Sequence, residues 1–207
     1  MYAPPHFAED RLPVLFDAMR RAGLATIVTL GADGLEATPL PLLLDEAEGE
    51  RGTLYGHLAR ANPQWRRFDT GVEALALFQG PDAYVSPSWY PSKAETGRVV
   101  PTWNYVAVYA RGPLEVFDDP DRLRGLVARL SDRHEAGRAE PWAVDDAPAD
   151  FIAAQLKGIV GIRIPIARIE GKWKTSQNRT AGDRAGVAAG LAAEGRDAMA
   201  ALSTPDP

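Results

Sequence analysis

Apolar residues that recur every three to four positions predict helices in three parts of the chain. The predicted helices cover residues 7–21, 119–134 and 148–157. An alanine- and glycine-rich tail from Asp183 onward predicts weaker helix that frays from about Thr204. Helices are therefore expected at the start, in the middle and at the end of the chain.

Short β-branched or alternating stretches predict strands between these helices. Residues 24–31 and 35–45 flank the turn sequence GADG and form a predicted hairpin. Pro39 and Pro41 cannot donate ladder hydrogen bonds, so this side of the second strand is predicted to be a sheet edge, or to face something other than a neighbouring strand. Further strands are predicted over 52–58, 72–80, 83–90, 102–117 (one strand, or two meeting at Gly112–Pro113) and 159–174, with a loop over 87–101.

These elements predict an α+β fold that is mainly β. Strands joined by short turns cannot form parallel βαβ units, and no GxGxxG motif is present, so a Rossmann fold is not expected. Antiparallel strands with helices attached predict a small barrel with peripheral helices. At 207 residues the chain is long enough for one sizeable core, so residues 1–207 are predicted to form a single domain.

Amino-acid composition and charge exclude several classes of function, although they say little about the fold. The chain has no cysteine, which excludes disulfides, thiol catalysis and thiolate metal sites. A net charge of −5 and the lack of a helix-turn-helix pattern or basic arm disfavour broad nucleic-acid binding. No apolar run of about 18 residues appears, and the N-terminus lacks the features of a signal peptide, so we expect no membrane segment and a cytoplasmic location.

Three clusters of polar and aromatic residues are candidates for chemistry, each where a predicted strand meets a loop. They lie in GHLARANPQW (56–65), VPTWNY (100–105) and GKWKTSQNR (171–179). Cations, flat aromatic faces and amides together suit a ligand with an aromatic ring system and an anionic end. The candidate residues are His57, Arg60, Asn62, Gln64, Thr102, Trp103, Asn104, Lys172, Trp173, Lys174, Gln177, Asn178 and Arg179.

Simpler structural roles stay open for several of these residues. Asn62 precedes a proline and is equally explained as a helix cap. A core histidine that is hydrogen-bonded within the protein also explains His57, and packing in the hydrophobic core also explains Trp103 and Trp173. The three histidines are far apart in sequence, so no metal site is predicted, and His57 is the one candidate for a general acid or base.

Strand alternation divides the VPTWNY cluster between two faces. Trp103 and Tyr105 are predicted on one face, and Thr102 and Asn104 on the other. We expect the face with Thr102 and Asn104 to meet the ligand, with Trp103 as a wall or donated across a dimer interface. On this hypothesis, truncating Asn104 lowers ligand affinity and leaves the melting temperature nearly unchanged.

Five motifs in order resemble the PaiB-like FMN-binding negative transcriptional regulators. The resemblance rests on GHLARANPQW, FQGPDAYVSPSWYPSK, VPTWNYVAV, IVGIRI and GKWKTSQNR, and it runs from Met1 to about Leu191. This family is similar in fold to the FMN-binding split barrels, which include the pyridoxamine phosphate oxidases. The resemblance implies an FMN cofactor, a homodimer with flavin at the interface, and DNA as a possible partner.

The resemblance also implies where flavin lies. It places His57, Arg60 and Asn62 near the phosphate or ribityl chain and Trp103 and Asn104 near the same pocket. Lys174, Gln177, Asn178 and Arg179 would complete that pocket. The family usually has histidine at the positions of Pro39 and Tyr109 and leucine at that of Thr175, which implies two missing polar contacts.

Other functions stay open beside the regulator. A haem-binding or haem-degrading protein is one alternative, because some split barrels handle haem. A flavin-dependent oxidoreductase is another, and a ligand-free interaction protein that uses the fold as a scaffold is a third. An absorption spectrum of the purified protein distinguishes flavin, haem and neither.

Overall fold

A computed structural model describes residues 1–205 of the chain. Within them the strands are β1 (Ala8–Glu9), β2 (Ala25–Gly31), β3 (Gly34–Leu40), β4 (Leu43–Asp45), β5 (Thr53–Ala59), β6 (Ala74–Val85), β7 (Thr102–Gly112), β8 (Glu115–Phe117), β9 (Ile159–Pro165) and β10 (Arg168–Lys174). The α-helices are α1 (Leu12–Arg21), α2 (Gln64–Arg67), α3 (Ser92–Thr96), α4 (Pro120–Glu135), α5 (Ala149–Leu156), α6 (Ala181–Ala193) and α7 (Asp197–Ser203). Short 3-10 helices cover Pro5–Phe7, Pro87–Trp89 and Val144–Asp146. The predicted α+β composition is confirmed.

The chain divides into two compact units, which we describe separately. The first unit contains residues 1–22, 78–109 and the described chain from Glu170 onward. The second unit contains residues 23–77 and 110–169. Strands β6 and β7 each continue from one unit into the other, so the units alternate along the sequence.

A hairpin and a four-stranded sheet form the second unit. Strands β2 and β3 are antiparallel from Ala25 opposite Leu40 to Gly31 opposite Gly34. Strand β3, which contains Pro39, is the last of its sheet, so the edge alternative is confirmed for this strand, whereas Pro41 lies outside it. The prediction of one strand over 35–45 is wrong, because the chain leaves β3 after Leu40 and continues as β4 in the other sheet.

The four-stranded sheet has the order β4-β5-β9-β8, with antiparallel neighbours. Its formation requires the chain to change sheets between β7 and β8. A Cβ added to Gly112 would lie 1.9 Å from the carbonyl oxygen of Pro165, so only glycine fits this close approach. The alternative of two strands meeting at Gly112–Pro113 is therefore confirmed.

In the first unit, strands follow the order β1-β10-β7-β6. Ala8 and Glu9 pair with Lys172 and Gly171 of β10, so α1 begins at Leu12 and not near residue 7 as predicted. The core of this unit joins strand β6 to the C-terminal helices. Its buried residues are Ala83, Val85, Tyr90, Val187, Leu191, Met199 and Ala200.

Two further strand predictions are corrected by packing. Most of the predicted strand 72–80 and the first three residues of 83–90 belong to one strand, β6, because Gly80 does not turn the chain, and Pro87–Trp89 form a 3-10 helix instead of strand. A Cβ at Gly80 would lie 2.9 Å from the Val106 side chain, so this glycine permits close packing within the strand. The single strand predicted over 159–174 is two strands in different sheets, and the predicted loop 87–101 contains α3.

The predicted helices of the second half are confirmed with small changes in their ends. Asp119 caps α4 by accepting a 2.8 Å hydrogen bond from the Arg122 amide. The tail forms α6 and α7, and Thr204 follows the last turn of α7. Fraying predicted for residues 206–207 lies outside the described residues. None of the helices within residues 1–205 has the length and apolarity to cross a membrane.

Candidate functional site

The amide groups of GHLARANPQW in the second unit are bonded within the protein. Asn62 Oδ1 accepts from the Gln64 amide at 2.9 Å, and its Nδ2 donates to Thr38 Oγ1 at 3.1 Å. Both ends of the Asn62 side chain therefore have protein partners. The cap interpretation of Asn62 is supported by these contacts, and its predicted contact with a ligand stays a prediction.

Gln64 is buried, with 1% of its surface exposed. Its Oε1 accepts from Thr38 Oγ1 at 2.6 Å. Its Nε2 donates to Thr29 Oγ1 at 3.1 Å and to the Glu36 carbonyl at 3.2 Å. The side chain thus ties the start of α2 to both strands of the β2–β3 hairpin.

Arg60 follows strand β5 and is held in a fixed orientation. Its Nε donates to the Lys157 carbonyl at 2.9 Å, and its Nη2 donates to the Ile159 carbonyl at 3.1 Å. Its Nη1 lies 3.6 Å from the Asp118 carboxylate. The guanidinium therefore joins the end of β5 to the connection between α5 and β9.

A cavity of about 490 Å³ lies beside Arg60 in the second unit. Two cations at its rim are paired with carboxylates of the same rim, Arg60 with Asp118 and Arg124 with Asp145. The cavity also carries Lys157 and Asp121, and the rest of its lining is apolar. Its apolar lining comprises Pro120, Leu123, Val144, Ala147, Ala149, Ile152, Ala153 and Leu156.

His57 lies in β5 opposite Gly161 of β9 and is partly buried. Burial lowers the pKa of its imidazole below the usual 6.5, because the charged form loses hydration. Among residues 1–205 its side chain has no hydrogen-bonding or ionic partner. His57 therefore presents a neutral imidazole at pH 7 that could bind a metal or accept a proton.

The VPTWNY cluster lies in the first unit, where strand β7 begins. Trp103 is 51% exposed, so the alternative of a core position for this residue is wrong. Its Nε1 donates to Asp82 at 2.8 Å, and its ring meets Tyr84 edge to face with centroids 6.2 Å apart. The two half-exposed rings form an open aromatic surface. Thr102 is partly buried on the opposite face of the strand.

Asn104 has no exposed surface and belongs to a buried polar cluster. Its Nδ2 donates to Ser176 Oγ at 2.9 Å and to Ser203 Oγ at 3.3 Å. Removing this side chain would leave buried hydroxyls without partners, which lowers stability. We therefore expect truncation of Asn104 to lower the melting temperature, in contrast to the prediction from the sequence. The predicted contact of Asn104 with the ligand stays a prediction.

The turn after β10 is strained and locally braced. Ser176 has a φ of 69°, a left-handed conformation that costs a non-glycine residue about 1–3 kcal/mol. Gln177 braces the turn, because its Nε2 donates to the Trp173 carbonyl at 2.5 Å and its Oε1 accepts from the Thr175 amide at 2.8 Å. Asn178 is exposed. Strain held by surrounding contacts is common at binding sites.

Lys172, Lys174 and Arg179, here called the basic cluster, lie on β10 and the following turn. Lys174 Nζ donates to Thr102 Oγ1 at 2.5 Å and to the Trp103 carbonyl at 2.8 Å. Burial lowers the pKa of Lys174, and the positive charges of Lys172 and Arg179 lower it further. Within residues 1–205, none of the three cations forms an ion pair with a carboxylate. The basic cluster is therefore an uncompensated concentration of positive charge.

Tyr90 lies next to the basic cluster. The Arg179 guanidinium stacks over its ring, 4.8 Å from the centroid, and the Tyr90 hydroxyl is buried without a hydrogen-bond partner in the described chain. Burial raises the pKa of this phenol, although the nearby Arg179 charge partly opposes the shift. Arg179 is therefore the polar neighbour of this buried hydroxyl, and Tyr90 helps to position the guanidinium within the basic cluster.

The structure groups the predicted residues into two sets. His57, Arg60 and Asn62 lie in the second unit. Gln64 lies there too, and the first unit contains Thr102, Trp103, Asn104, Lys172, Trp173, Lys174, Gln177, Asn178 and Arg179, with Lys174 bonded to Thr102 and Trp103. The basic cluster and the exposed Trp103 of this unit fit the anionic and aromatic parts of FMN.

Sequence reasoning missed Tyr90 and Ser203. Tyr90 was included in a predicted strand, and only the chain fold places it under Arg179. Ser203 lies in an alanine-rich helix with no local sign of function, 99 positions from its partner Asn104. Ser176 was part of the TSQNR motif, but a serine does not indicate a left-handed backbone conformation, as a glycine or asparagine would.

Comparisons with known proteins agree with this chemistry. A family model described as "Putative FMN-binding domain" matches residues 1–168. Protease synthase and sporulation protein PAI 2 of Bacillus subtilis is 33% identical over 183 residues, covering 88% of this chain and 85% of that protein. In that relative the similarity therefore extends across nearly the whole length.

Solved structures share the fold at low sequence identity. The flavocytochrome Anf3 from Azotobacter vinelandii has a TM-score of 0.58 at 14% identity, covering 84% of this chain and 70% of that chain. The FAD and heme binding protein from Mycobacterium smegmatis has a TM-score of 0.54 at 19% identity, covering 80% and 71%. With the family match over most of its length and the relative in Bacillus, this chain belongs to the PaiB-like family of FMN-binding proteins.

Proposed function

We propose that this chain is an FMN-binding regulatory protein, a flavin-dependent negative transcriptional regulator or redox sensor of the PaiB type. The observation that carries the proposal is the basic cluster, three cations without carboxylate partners beside a half-exposed tryptophan. A phosphate monoester carries about −1.5 to −2 charges at pH 7, which matches such a cluster. Bound FMN supplies electron-transfer chemistry.

The basic cluster is better prepared for the phosphate than Arg60 is. Lys174 is partly desolvated and repelled by its neighbours, so an anion would relieve an existing electrostatic cost. Two nitrogens of Arg60 already donate hydrogen bonds to backbone carbonyls, and a third lies near the Asp118 carboxylate. We therefore propose that Arg179 and Lys174 hold the phosphate, with Trp103 as the aromatic wall. His57, Arg60 and Asn62 stay candidates by family resemblance.

Two arginine substitutions test this assignment. Arg179→Ala is expected to weaken FMN binding by about 1.5–3 kcal/mol, the cost of a lost hydrogen bond to a charged group. Binding of riboflavin, which lacks the phosphate, should change little. Arg60→Ala should lower the melting temperature and weaken both flavins equally. Arg98 is exposed and lies outside the basic cluster, so Arg98→Ala provides the control substitution.

Fluorescence titration with both flavins measures these affinities. If Arg179→Ala leaves FMN affinity unchanged, or weakens both flavins equally, the phosphate does not lie at the basic cluster. If the unmodified protein binds neither flavin, the FMN-binding function itself is wrong. A yellow, two-banded absorption spectrum of the purified protein would support it directly.

We also propose that the sheets form a split barrel within a single domain, and that two copies associate around the flavin. Support comes from the family membership and from the proline-marked edge strand β3, which leaves unpaired backbone groups. Sedimentation should give a dimer at micromolar concentration. A monomer with and without FMN would contradict the dimer, and two separate calorimetric transitions would contradict the single domain.

The regulatory role is supported by the family rather than by charge, since the net charge of −5 does not favour DNA. Mobility-shift assays with promoter fragments flanking the gene, in oxidised and reduced flavin, test it. Redox-dependent binding that weakens with salt supports the regulator. Flavin-dependent consumption of a nicotinamide cofactor without DNA binding would favour an oxidoreductase instead.

Haem binding is a second candidate, and His57 is the observation that favours it. Its partly buried, unpartnered and neutral imidazole has the properties of an axial iron ligand. The neighbour from Mycobacterium smegmatis is titled as binding FAD and heme. A single intense Soret band on hemin addition that disappears in His57→Ala would support this alternative. Binding that His57→Ala does not change would exclude His57 as the ligand.

A further inference from the structure

We propose that the C-terminal helix α7 controls how well the protein distinguishes FMN from riboflavin, with Ser203 as the positioning residue. This inference rests on the proposed function, in which Arg179 holds the phosphate. The connection runs from Ser203 through Asn104 to Ser176, which we call the buried polar relay. None of its members contacts the phosphate in this proposal.

The relay is a closed set of hydrogen bonds inside the first unit. Asn104 Nδ2 donates to both serine hydroxyls, at 2.9 Å to Ser176 and 3.3 Å to Ser203. Asn104 and Ser203 are fully buried, and Ser176 is 3% exposed. Water therefore cannot replace a lost partner easily, and the two Asn104 protons have fixed uses.

The relay acts on the turn that carries Arg179. Ser176 has a φ of 69°, so the turn needs outside contacts to hold this conformation. The Ser176 hydroxyl receives such a contact from Asn104, and its carbonyl accepts from the Arg179 amide at 2.9 Å. The conformation of Ser176 thus sets where the Arg179 backbone lies, and with it the guanidinium over Tyr90.

Helix α7 is firmly docked, so Ser203 is a fixed point for the relay. Met199 is 1% exposed and packs in the core with Leu191 and Val187. The carbonyl of Thr204 accepts from Arg184 Nη2 of α6 at 2.7 Å. The helix lies beyond residue 168, where the family model ends.

Substitution of Ser203 provides the first test. Ser203→Ala removes one partner of Asn104 and loosens the turn, so FMN affinity should fall roughly three- to tenfold, the effect of one hydrogen bond. Riboflavin affinity should stay within about twofold, since the phosphate interaction alone depends on Arg179. Thr204→Ala is the matched control. It removes a neighbouring hydroxyl that bonds only the Ala200 carbonyl, and should leave the FMN-to-riboflavin ratio unchanged.

A double-mutant cycle with Ser176→Gly tests the route. Glycine adopts the left-handed conformation without strain, so the turn no longer depends on the relay. In the Ser176→Gly background, Ser203→Ala should then have little further effect on FMN affinity. Additive losses would show that Ser203 does not act through Ser176.

Each outcome separates the two proposals. If the unmodified protein binds FMN no better than riboflavin, the phosphate site of the proposed function fails. If it prefers FMN and Ser203→Ala keeps the full preference, the role of α7 is overturned while the phosphate site stands. If Ser203→Ala weakens both flavins in proportion to its loss of melting temperature, Ser203 is only structural and the inference is wrong.

Discussion

Replacing Gln64 by methionine tests whether the polar opening of α2 serves the fold. The substitution keeps the length and approximate volume of the side chain and removes its amide. Three hydrogen bonds of 2.6–3.2 Å disappear, from Thr38 Oγ1 and to Thr29 Oγ1 and the Glu36 carbonyl, together with a longer contact of 3.5 Å to the Ile27 carbonyl. Gln64 is 1% exposed, so water has little access to replace them.

The expected loss follows from these contacts. Each net hydrogen bond contributes about 0.5–1.5 kcal/mol, so three give a loss of about 3 kcal/mol. The Thr38 hydroxyl still accepts a hydrogen bond from Asn62 Nδ2, whereas the Thr29 hydroxyl loses its hydrogen bond from the Gln64 amide. For a chain of this size, 1 kcal/mol corresponds to about 2–4 °C, so the melting temperature should fall by roughly 6–12 °C.

Urea unfolding followed by circular dichroism measures this loss. The same substitution at exposed Gln155, on helix α5, is the control and should change stability by less than about 0.5 kcal/mol, because glutamine and methionine have similar helix propensity. A loss below about 1 kcal/mol for Gln64→Met would refute the reasoning. It would show that the buried amide is not needed to join α2 to the hairpin.

Two further predictions concern backbone packing and pH. Gly112→Ala should unfold or strongly destabilise the protein in thermal melts, because its Cβ would lie 1.9 Å from the Pro165 carbonyl oxygen. Gly125→Ala is the control. It lies in an open helical position and should raise the free energy of unfolding by about 0.5–1 kcal/mol. The preference for FMN over riboflavin should be greatest above about pH 6, where the phosphate is dianionic, and should fall as pH rises through the lowered pKa of Lys174, because deprotonation removes its charge. Titrations across pH check this, and an alkaline decrease that persists in Lys174→Met would exclude Lys174 as its cause.

Local signals in the sequence determined several elements correctly. The β2–β3 hairpin follows from the GADG turn after the β-branched stretch 24–31, and Gly34 adopts a φ of 110° there. Helix α4 follows from the Asp119 cap and its apolar spacing. Both depend on interactions between residues close in sequence, which residue type and spacing report directly.

The candidate site was only partly accessible from the sequence. The motifs predicted residue types that suit a flavin, and the charge of Arg179 acts on nearby Lys174. The same motifs also contained Asn62, Gln64 and Asn104, whose amides bond within the protein. The residue type does not show whether a polar side chain contacts a ligand or a buried group of the protein, so the sequence alone could not distinguish these two roles.

What the sequence by itself determined was the α+β class, the family and the chemistry of FMN binding. Tertiary structure decided which strands share a sheet, that Gly80 continues a strand instead of turning it, and that Ser203 supports a turn through Asn104. The physical reason is range. Turns and caps are set within a few residues, whereas hydrogen-bond partners 72 and 99 positions apart are chosen only when the chain packs.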